Sequence, residues 1–115
     1  MAIVDDIRSA VESAISAGAT AARGQGAALS SDFETLVKPN FEAIVTQTAA
    51  ISEDLITGNI GPDQARDDLQ TQLDNVEPII LAESELALLA VQVIINAVIS
   101  ALKSAVNTAT GIALL

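Results

Sequence analysis

The side chains that could carry out acid–base chemistry in this chain are carboxylates, hydroxyls and five Lys or Arg residues, because His, Cys, Tyr and Trp are absent. Carboxylates stand close together at Glu53 with Asp54, at Asp67 with Asp68, and at Glu83 with Glu85. Neighbours at these spacings point to different sides of a helix and do not converge on one substrate. The pairs therefore indicate a solvated acidic surface, and we expect no catalytic residue.

Metal and cofactor binding is equally unsupported by the residue types. Imidazole and thiolate ligands are missing, and no Asp-rich calcium loop, dinucleotide-binding Gly motif or phosphate loop is present. Lys103 with Ser100 or Ser104 has no supporting motif for serine–lysine catalysis. We expect a protein that is not an enzyme, with no cofactor, no metal site and no small-molecule substrate, although a weak divalent-cation site on the acidic surface stays open.

The charge pattern separates an acidic body from a nearly uncharged C-terminal part. The chain has a net charge of −10, and of its charged residues only Lys103 lies after residue 85. A nucleic acid would be repelled by such a body, because its phosphates are bound through Lys and Arg. The same sign disfavours electrostatic attraction to anionic lipid, but not hydrophobic insertion.

The composition and the N-terminal residues limit which classes of protein are possible. The length of 115 residues, half of them apolar, predicts a single helical domain with a core built mainly from Ala, Val, Ile and Leu. The first residues lack the basic and apolar regions of a signal peptide, which predicts synthesis in the cytoplasm without export by the general secretory route. The absence of Cys leaves the redox compartment open.

Apolar periodicity predicts a first helix over residues 3–25, or over 3–37 if it runs through Gly24 and Gly26. Small residues recur along it every four positions, at Ala10, Ala14, Gly18, Ala22 and Gly26. Such a stripe allows another backbone to approach closely, although the alternative is a plain, weakly stable helical segment. Ser30, Ser31 and Asp32 are candidate caps for a helix that restarts before Phe33, with Glu34 and Lys38 as an ion pair.

Prolines and glycines divide the rest of the chain into three further helices. Pro39 disfavours the α conformation at Lys38, so that the second helix is predicted over 40–57, before Gly58. Pro62 suits the first position of a third helix over 62–76. Pro78 ends or kinks that helix, or begins the fourth.

The fourth helix is predicted over residues 78–109, about 45 Å long. The spacing of its polar residues is close to one per helical turn, so that they form one narrow stripe. One turn, near Leu88 or Leu89, has no polar residue. The members of this polar stripe are Glu85, Gln92, Asn96, Ser100, Lys103 and Asn107. A solvent-facing stripe is the plain interpretation, and the alternatives are contacts that set the register between copies or the lining of a pore.

The apolar remainder of this helix has three possible environments: the core of one chain, a core that is also shared between subunits, or a membrane. A lone membrane span is disfavoured, because the uncharged stretch of residues 86–102 is short and carries Gln92, Asn96 and Ser100. The candidate interface residues are Leu88, Val91, Ile94, Ile95, Val98, Ile99 and Leu102 in this helix, and Ala14, Gly18 and Ala22 in the first.

The sequence thus predicts an all-α bundle of about four helices with a long, mostly apolar C-terminal helix. The function that fits this architecture is a structural or assembly subunit that forms homo-oligomers or joins other subunits, such as a component of a phage or virus particle, a filament or an injection-type assembly. One alternative is a small membrane-active protein, holin-like or pore-forming, that inserts its C-terminal helix. A further alternative is an adaptor that binds a partner's helix.

Overall fold

The computed structural model describes residues 2–115 and is an all-α bundle, with no strand among these residues. Four longer helices form the bundle: α1 Ile3–Gly24, α3 Glu42–Ile56, α4 Pro62–Asp74 and α6 Leu88–Thr110. Two shorter helices, α2 Phe33–Val37 and α5 Val76–Ser84, lie between them. The molecule is elongated, with extents of 45 × 25 × 20 Å. The predicted fold class, including the long apolar C-terminal helix, is confirmed.

The centre of the bundle is the pair formed by α1 and α6, which run antiparallel. Gly18 of α1 lies against Ile94 of α6, while Ala10 lines a shallow hollow together with Ala101 near the other end of the pair. Acidic residues in the first turn of α1 and Arg23 in its last turn complement the helix dipole. The buried side of α1 consists of Ile7, Val11, Ile15, Gly18, Ala19 and Ala22.

The first helix ends at Gly24 and does not continue to residue 37. Gly26 has a φ of 94°, and the amide of Ala27 donates to the carbonyl of Ala22, which closes the helix end. A helical turn restarts at Phe33 as predicted, but its N-cap residue Asp32 makes no capping hydrogen bond through its side chain. Glu34 pairs with Arg23 and not with Lys38. Residues 25–32 therefore form a loop.

Pro39 joins two helices instead of separating them. It lies in a 3-10 turn, Lys38–Phe41, that links α2 to α3, and Lys38 has helical angles of φ −54° and ψ −47°. The expectation that Pro39 would exclude Lys38 from the α region was wrong. The tighter 3-10 turn accommodates the ring because it does not require the backbone donor that proline lacks.

The third predicted helix is confirmed with a shorter C-terminal end. Pro62 begins α4 as predicted, but α4 ends at Asp74. A new helix, α5, begins at Val76, so that Pro78 occupies its first turn and is not its first residue. A proline is tolerated in the first turn because the amides there have no partner within the helix.

The fourth predicted helix, 78–109, is two helices. Glu85 ends α5 in a left-handed conformation, with φ 56° and ψ 21°, and α6 begins at Leu88. The long helix is thus 23 residues, or about 35 Å instead of 45 Å. Val76 and Ile80 of α5 are fully buried in the core. A straight helix would carry α5 beyond the core and expose both side chains, and the chain therefore bends.

The C-terminal tail docks on a second, smaller cluster of apolar residues. Leu114 packs there with Ala65, Leu69 and Val106 and is only 4% exposed. Nε of Arg66 donates to the carbonyl of Leu114 at 3.1 Å. The amide of Leu115 donates to Oδ1 of Asn107 at 2.9 Å. The tail thus fastens α4 to the end of α6.

Candidate self-association surface

The long helix α6 is only partly covered by the rest of the chain. Of its most apolar stretch of 18 residues, 33% are buried. Lys103 is the one charged residue in the helix. By length and composition α6 could also cross a membrane, although core helices of other proteins pass the same test.

Most of the predicted interface residues lie inside the core of a single chain. Val91, Ile94, Ile95, Val98 and Leu102 of α6 are each at most 2% exposed, and Gly18 and Ala22 of α1 are buried opposite them. Another folded copy cannot touch these side chains while α6 remains in place. Only Leu88, which is exposed, and Ile99 and Ala14, which are half-buried, reach the surface.

The close approach that the small-residue stripe predicted is found at Gly18. A Cβ atom added there would lie 2.8 Å from the Cα atom of Ile94, closer than real Cβ contacts. Ala22 is buried and Ala14 is half-buried along the same helix, whereas Gly26 lies beyond the end of α1. At Gly18 and Ala22 the stripe therefore serves packing within one chain.

The polar stripe faces solvent along most of its length. Asn96, Ser100 and Lys103 are exposed, and Nε2 of Gln92 donates to Oδ1 of Asn96 at 2.9 Å. Asn107 is half-buried and accepts the amide of Leu115. Glu85 is not a member, because it lies in the bend before α6. The sequence predicted one helix across the turn near Leu88, which has no polar residue in the repeat. Glu85 was therefore assigned to a helix that begins only at Leu88.

Beside the polar stripe, α1 and α6 present a strip of small side chains around the shallow hollow, which Asp6 also lines. Ala97, Ala101 and Ala105 follow one another at intervals of one helical turn on α6, and Ala10 and Ala14 do the same on α1. All five are half-buried. We call them the alanine face. A surface of this kind allows the backbone of another helix to approach closely.

Large apolar side chains are exposed at the bend between α5 and α6. Leu89 is 89% exposed and Leu88 is 42% exposed at the start of α6. Leu36 is 54% exposed and lines a hollow together with Ser84 and Glu85. We call Leu36, Leu88 and Leu89 the leucine patch. The exposure of Leu36 and Leu89 was not predicted from the sequence. The only sign of it was that the helical turn near Leu89 has no polar residue.

No protein-family model, no curated protein and no solved structure matches the chain. The interpretation of the surface therefore rests on its own residues.

Three arginines form ion pairs with acidic residues of the surface, and these pairs join helices or stabilise helix ends. Arg8 contacts Asp5 and Glu42, with 2.5 Å between Nη2 and Oε1 of Glu42, which connects α1 to α3. The guanidinium group of Arg8 lowers the pKa of Glu42 through this hydrogen bond. The other pairs are Arg23 with Glu34 and Arg66 with Asp63.

The structure does not assemble the acidic residues into a metal site. Among residues 2–115 no group of three or more Asp or Glu side chains could hold an ion. The carboxylate pairs of the sequence lie on different helices. Glu53, Asp54 and Asp67 are exposed, whereas Asp68 and Glu83 are half-buried.

Proposed function

We propose that the protein is a non-enzymatic structural or assembly subunit that self-associates through α6 and the adjoining part of α1. The observation that carries this proposal is the apolar surface that α6 leaves open, because Leu88 and Leu89 are exposed and Val93, Ile99 and the alanines of the alanine face are only half-buried. Burial of apolar area drives most protein association, at roughly 25 cal/mol per Å². A second copy supplies the missing cover.

The distribution of charge supports a second copy as the partner. Two copies, each with a net charge of −10, repel one another where their acidic residues face. The α6 helix contains none of the carboxylates, and the alanine face includes no charged side chain. Contact through α6 therefore meets less repulsion than contact through the acidic helix α4. A subunit of this kind suits an assembly of many copies, such as a particle or a filament.

Light scattering after gel filtration, with and without liposomes, tests the proposal. We expect a mass that is a multiple of 11.8 kDa and that does not change when liposomes are added. The substitution Ala101→Asp, in the alanine face, should lower the mass toward that of the monomer. A monomer for the unmodified chain at all concentrations would contradict the proposal.

The neighbouring substitution Ser100→Asp is the control, because Ser100 is exposed on the polar stripe. It adds the same charge one residue away, and the mass should remain that of the oligomer. Circular dichroism must show unchanged helix content for both variants. Equal masses for the two variants would remove the alanine face from the association surface.

A membrane-active protein is the second candidate, and the length and apolar composition of α6 favour it. In this alternative the apolar side of α6 meets lipid and the polar stripe meets water. Recovery of the chain with neutral phosphatidylcholine liposomes, together with ion conductance that changes in Asn96→Leu, would support it. A chain that stays in the supernatant would exclude it.

A further inference from the structure

We infer that two copies of this chain associate by exchanging α6. The bend at Glu85 opens, α5 and α6 join into one continuous helix, and the α6 of each copy packs against the α1 of the other. The inference rests on the proposed self-association and adds to it, because exchange joins two chains into a pair while the alanine face stays free to contact a further copy. Exchange of an identical element requires no new surface, because the groove that accepts α6 already exists in every copy.

The first argument is the backbone of Glu85. With a φ of 56°, it is the one residue other than glycine that has a positive φ among residues 2–115. A side chain with a Cβ atom is disfavoured in this conformation, and Gly usually occupies the equivalent position after a helix. The other left-handed positions of this chain are glycines, at Gly26, Gly58 and Gly111. The bend between α5 and α6 is therefore strained.

The second argument is the sequence around the bend, which favours a continuous helix. Residues 79–110 contain neither Gly nor Pro. Glu85 and the polar residues of α6 also keep one helical repeat across the bend. A straight helix is opposed by the packing of Val76 and Ile80 in the core and by the hydrogen bond from Nδ2 of Asn40 to Oε1 of Glu83 at 2.6 Å. The hydrogen bond from the Leu86 amide to Oγ of Ser84, at 3.3 Å, is weaker. Short linkers under strain favour domain exchange.

The third argument is the leucine patch. Leu88 and Leu89 immediately follow the bend, and Leu36 lines a hollow beside it, so that the exposed leucines lie where the two chains would cross. In a twofold dimer formed by exchange, the two opened bends run past one another near the axis. The leucine patches of the two copies then bury one another. In the separate chain these side chains are 42–89% exposed.

The exchange gives the buried residues of α6 an intermolecular role. Ile94 would pack against Gly18 of the second copy with the close contact that now exists within one chain. Val91, Val98 and Leu102 would likewise remain buried, but against the other copy's helices. These residues are buried in a single folded chain and cannot contact a second folded copy. They form an interface once α6 packs against the α1 of another copy.

Cross-linking between α1 and α6 distinguishes exchange from simple docking. Gln25, at the end of α1, and Ala90 of α6 line the same hollow, away from the alanine face, and the chain has no native cysteine to interfere. The double variant Gln25→Cys with Ala90→Cys is treated with a short bismaleimide in the oligomeric fraction. We expect the product to run as a dimer on a denaturing gel, because the two cysteines at one hollow belong to different chains.

A cross-linked product that runs as a monomer, recovered from a fraction that light scattering shows to be oligomeric, would overturn the exchange and leave the proposed self-association in place. A chain that is monomeric at every concentration would overturn the proposed function and the exchange together. The two failures are thus told apart by the mass measured before the cross-linker is added.

Substitutions of Glu85 provide a second test that leaves the core unchanged. Glu85→Gly relieves the strain of the bend and weakens a continuous helix, so it should lower the dimerisation constant by roughly tenfold per bend, or about a hundredfold per dimer. Glu85→Val should raise it, because β-branched side chains are strongly disfavoured at positive φ. The same dimerisation constant for both variants would overturn the role of the bend.

Discussion

Gly18 of α1 lies so close to Ile94 of α6 that a Cβ atom on Gly18 would stand 2.8 Å from the Cα atom of Ile94. The missing side chain thus sets the distance between the two helices at the centre of the bundle. Glycine lowers the stability of a helix by roughly 1 kcal/mol relative to alanine. At this position any side chain would push α6 away from α1.

Replacement of Gly18 by alanine should therefore destabilise the protein. We expect the free energy of unfolding to fall by about 1–3 kcal/mol, because overpacking of the core outweighs the gain in helix propensity. Gly18→Leu should have a larger effect. Chemical denaturation followed by circular dichroism measures both.

Gly24→Ala is the matched control, since it makes the same substitution at the end of the same helix. Nothing lies within 4 Å of a Cβ atom placed on Gly24, and the free energy of unfolding should stay unchanged or rise by about 0.5 kcal/mol. If Gly18→Ala were as stable as Gly24→Ala, the close contact would not be what holds α1 and α6 together.

The stripe that contains Gly18 illustrates how far the sequence predicts the structure. Spacing every four residues identified a helix face suited to close approach, and the structure has that approach at Gly18. The partner could not be read from the spacing, because a small residue accepts a helix of the same chain or of another equally well. The helices themselves were predictable because apolar residues recur at the helical repeat.

The bend at Glu85 shows what the sequence does not reveal. Residues 79–110 contain no Gly or Pro that would end a helix, yet the chain bends at Glu85, which meets the requirement that Val76 and Ile80 of α5 be buried in the core. That requirement depends on helices distant in sequence and outweighs local propensity. Leu36 and Leu89 of the leucine patch went unrecognised for the same reason, since the bend decides which side chains beside it are left exposed.

Thr48 of α3 has a fully buried hydroxyl oxygen without a hydrogen-bond partner within residues 2–115. Leaving such a group unpaired costs about 1–3 kcal/mol, whereas an apolar group of the same shape does not carry this cost. Thr48→Val should therefore raise the free energy of unfolding by about 1 kcal/mol. Thermal and chemical denaturation provide the measurement.

Thr46→Val is the control for this substitution, because Thr46 is exposed on the same helix. Its effect should stay within about 0.5 kcal/mol. A decrease in stability for Thr48→Val would show that the hydroxyl group has a partner, such as a buried water molecule.

Arg23 and Glu34 hold the loop of residues 25–32 between the ends of α1 and α2. Nη1 of Arg23 lies 2.5 Å from Oε1 of Glu34, and Nη2 donates to the carbonyl of Ser30 at 2.6 Å. The hydrogen bond from Arg23 lowers the pKa of Glu34 below its ordinary value of 4.5. The ionised form is thus favoured in the folded chain.

A depressed pKa in the folded state adds stability above the unfolded pKa of 4.5, and this stability is lost as the pH falls through the lower folded value. Because both side chains are partly exposed, Glu34→Gln should lower the free energy of unfolding by only about 0.5–1 kcal/mol at pH 7. The difference should vanish in acid, below the folded pKa. Glu12→Gln, at an exposed position of α1, is the control, and a difference for Glu34→Gln that persists in acid would exclude the ion pair as its cause.

Leu114 provides the last prediction, since it joins the tail to α4 and α6. Its side chain is 4% exposed among Ala65, Leu69 and Val106. Leu114→Ala should lower the free energy of unfolding by about 2–3 kcal/mol, through the loss of buried area and the cavity that remains. Ile112→Ala is the matched control, because Ile112 is 46% exposed in the same tail and its loss should cost no more than about 0.5 kcal/mol. Equal effects for the two variants in chemical denaturation would mean that the tail does not dock on the bundle in solution.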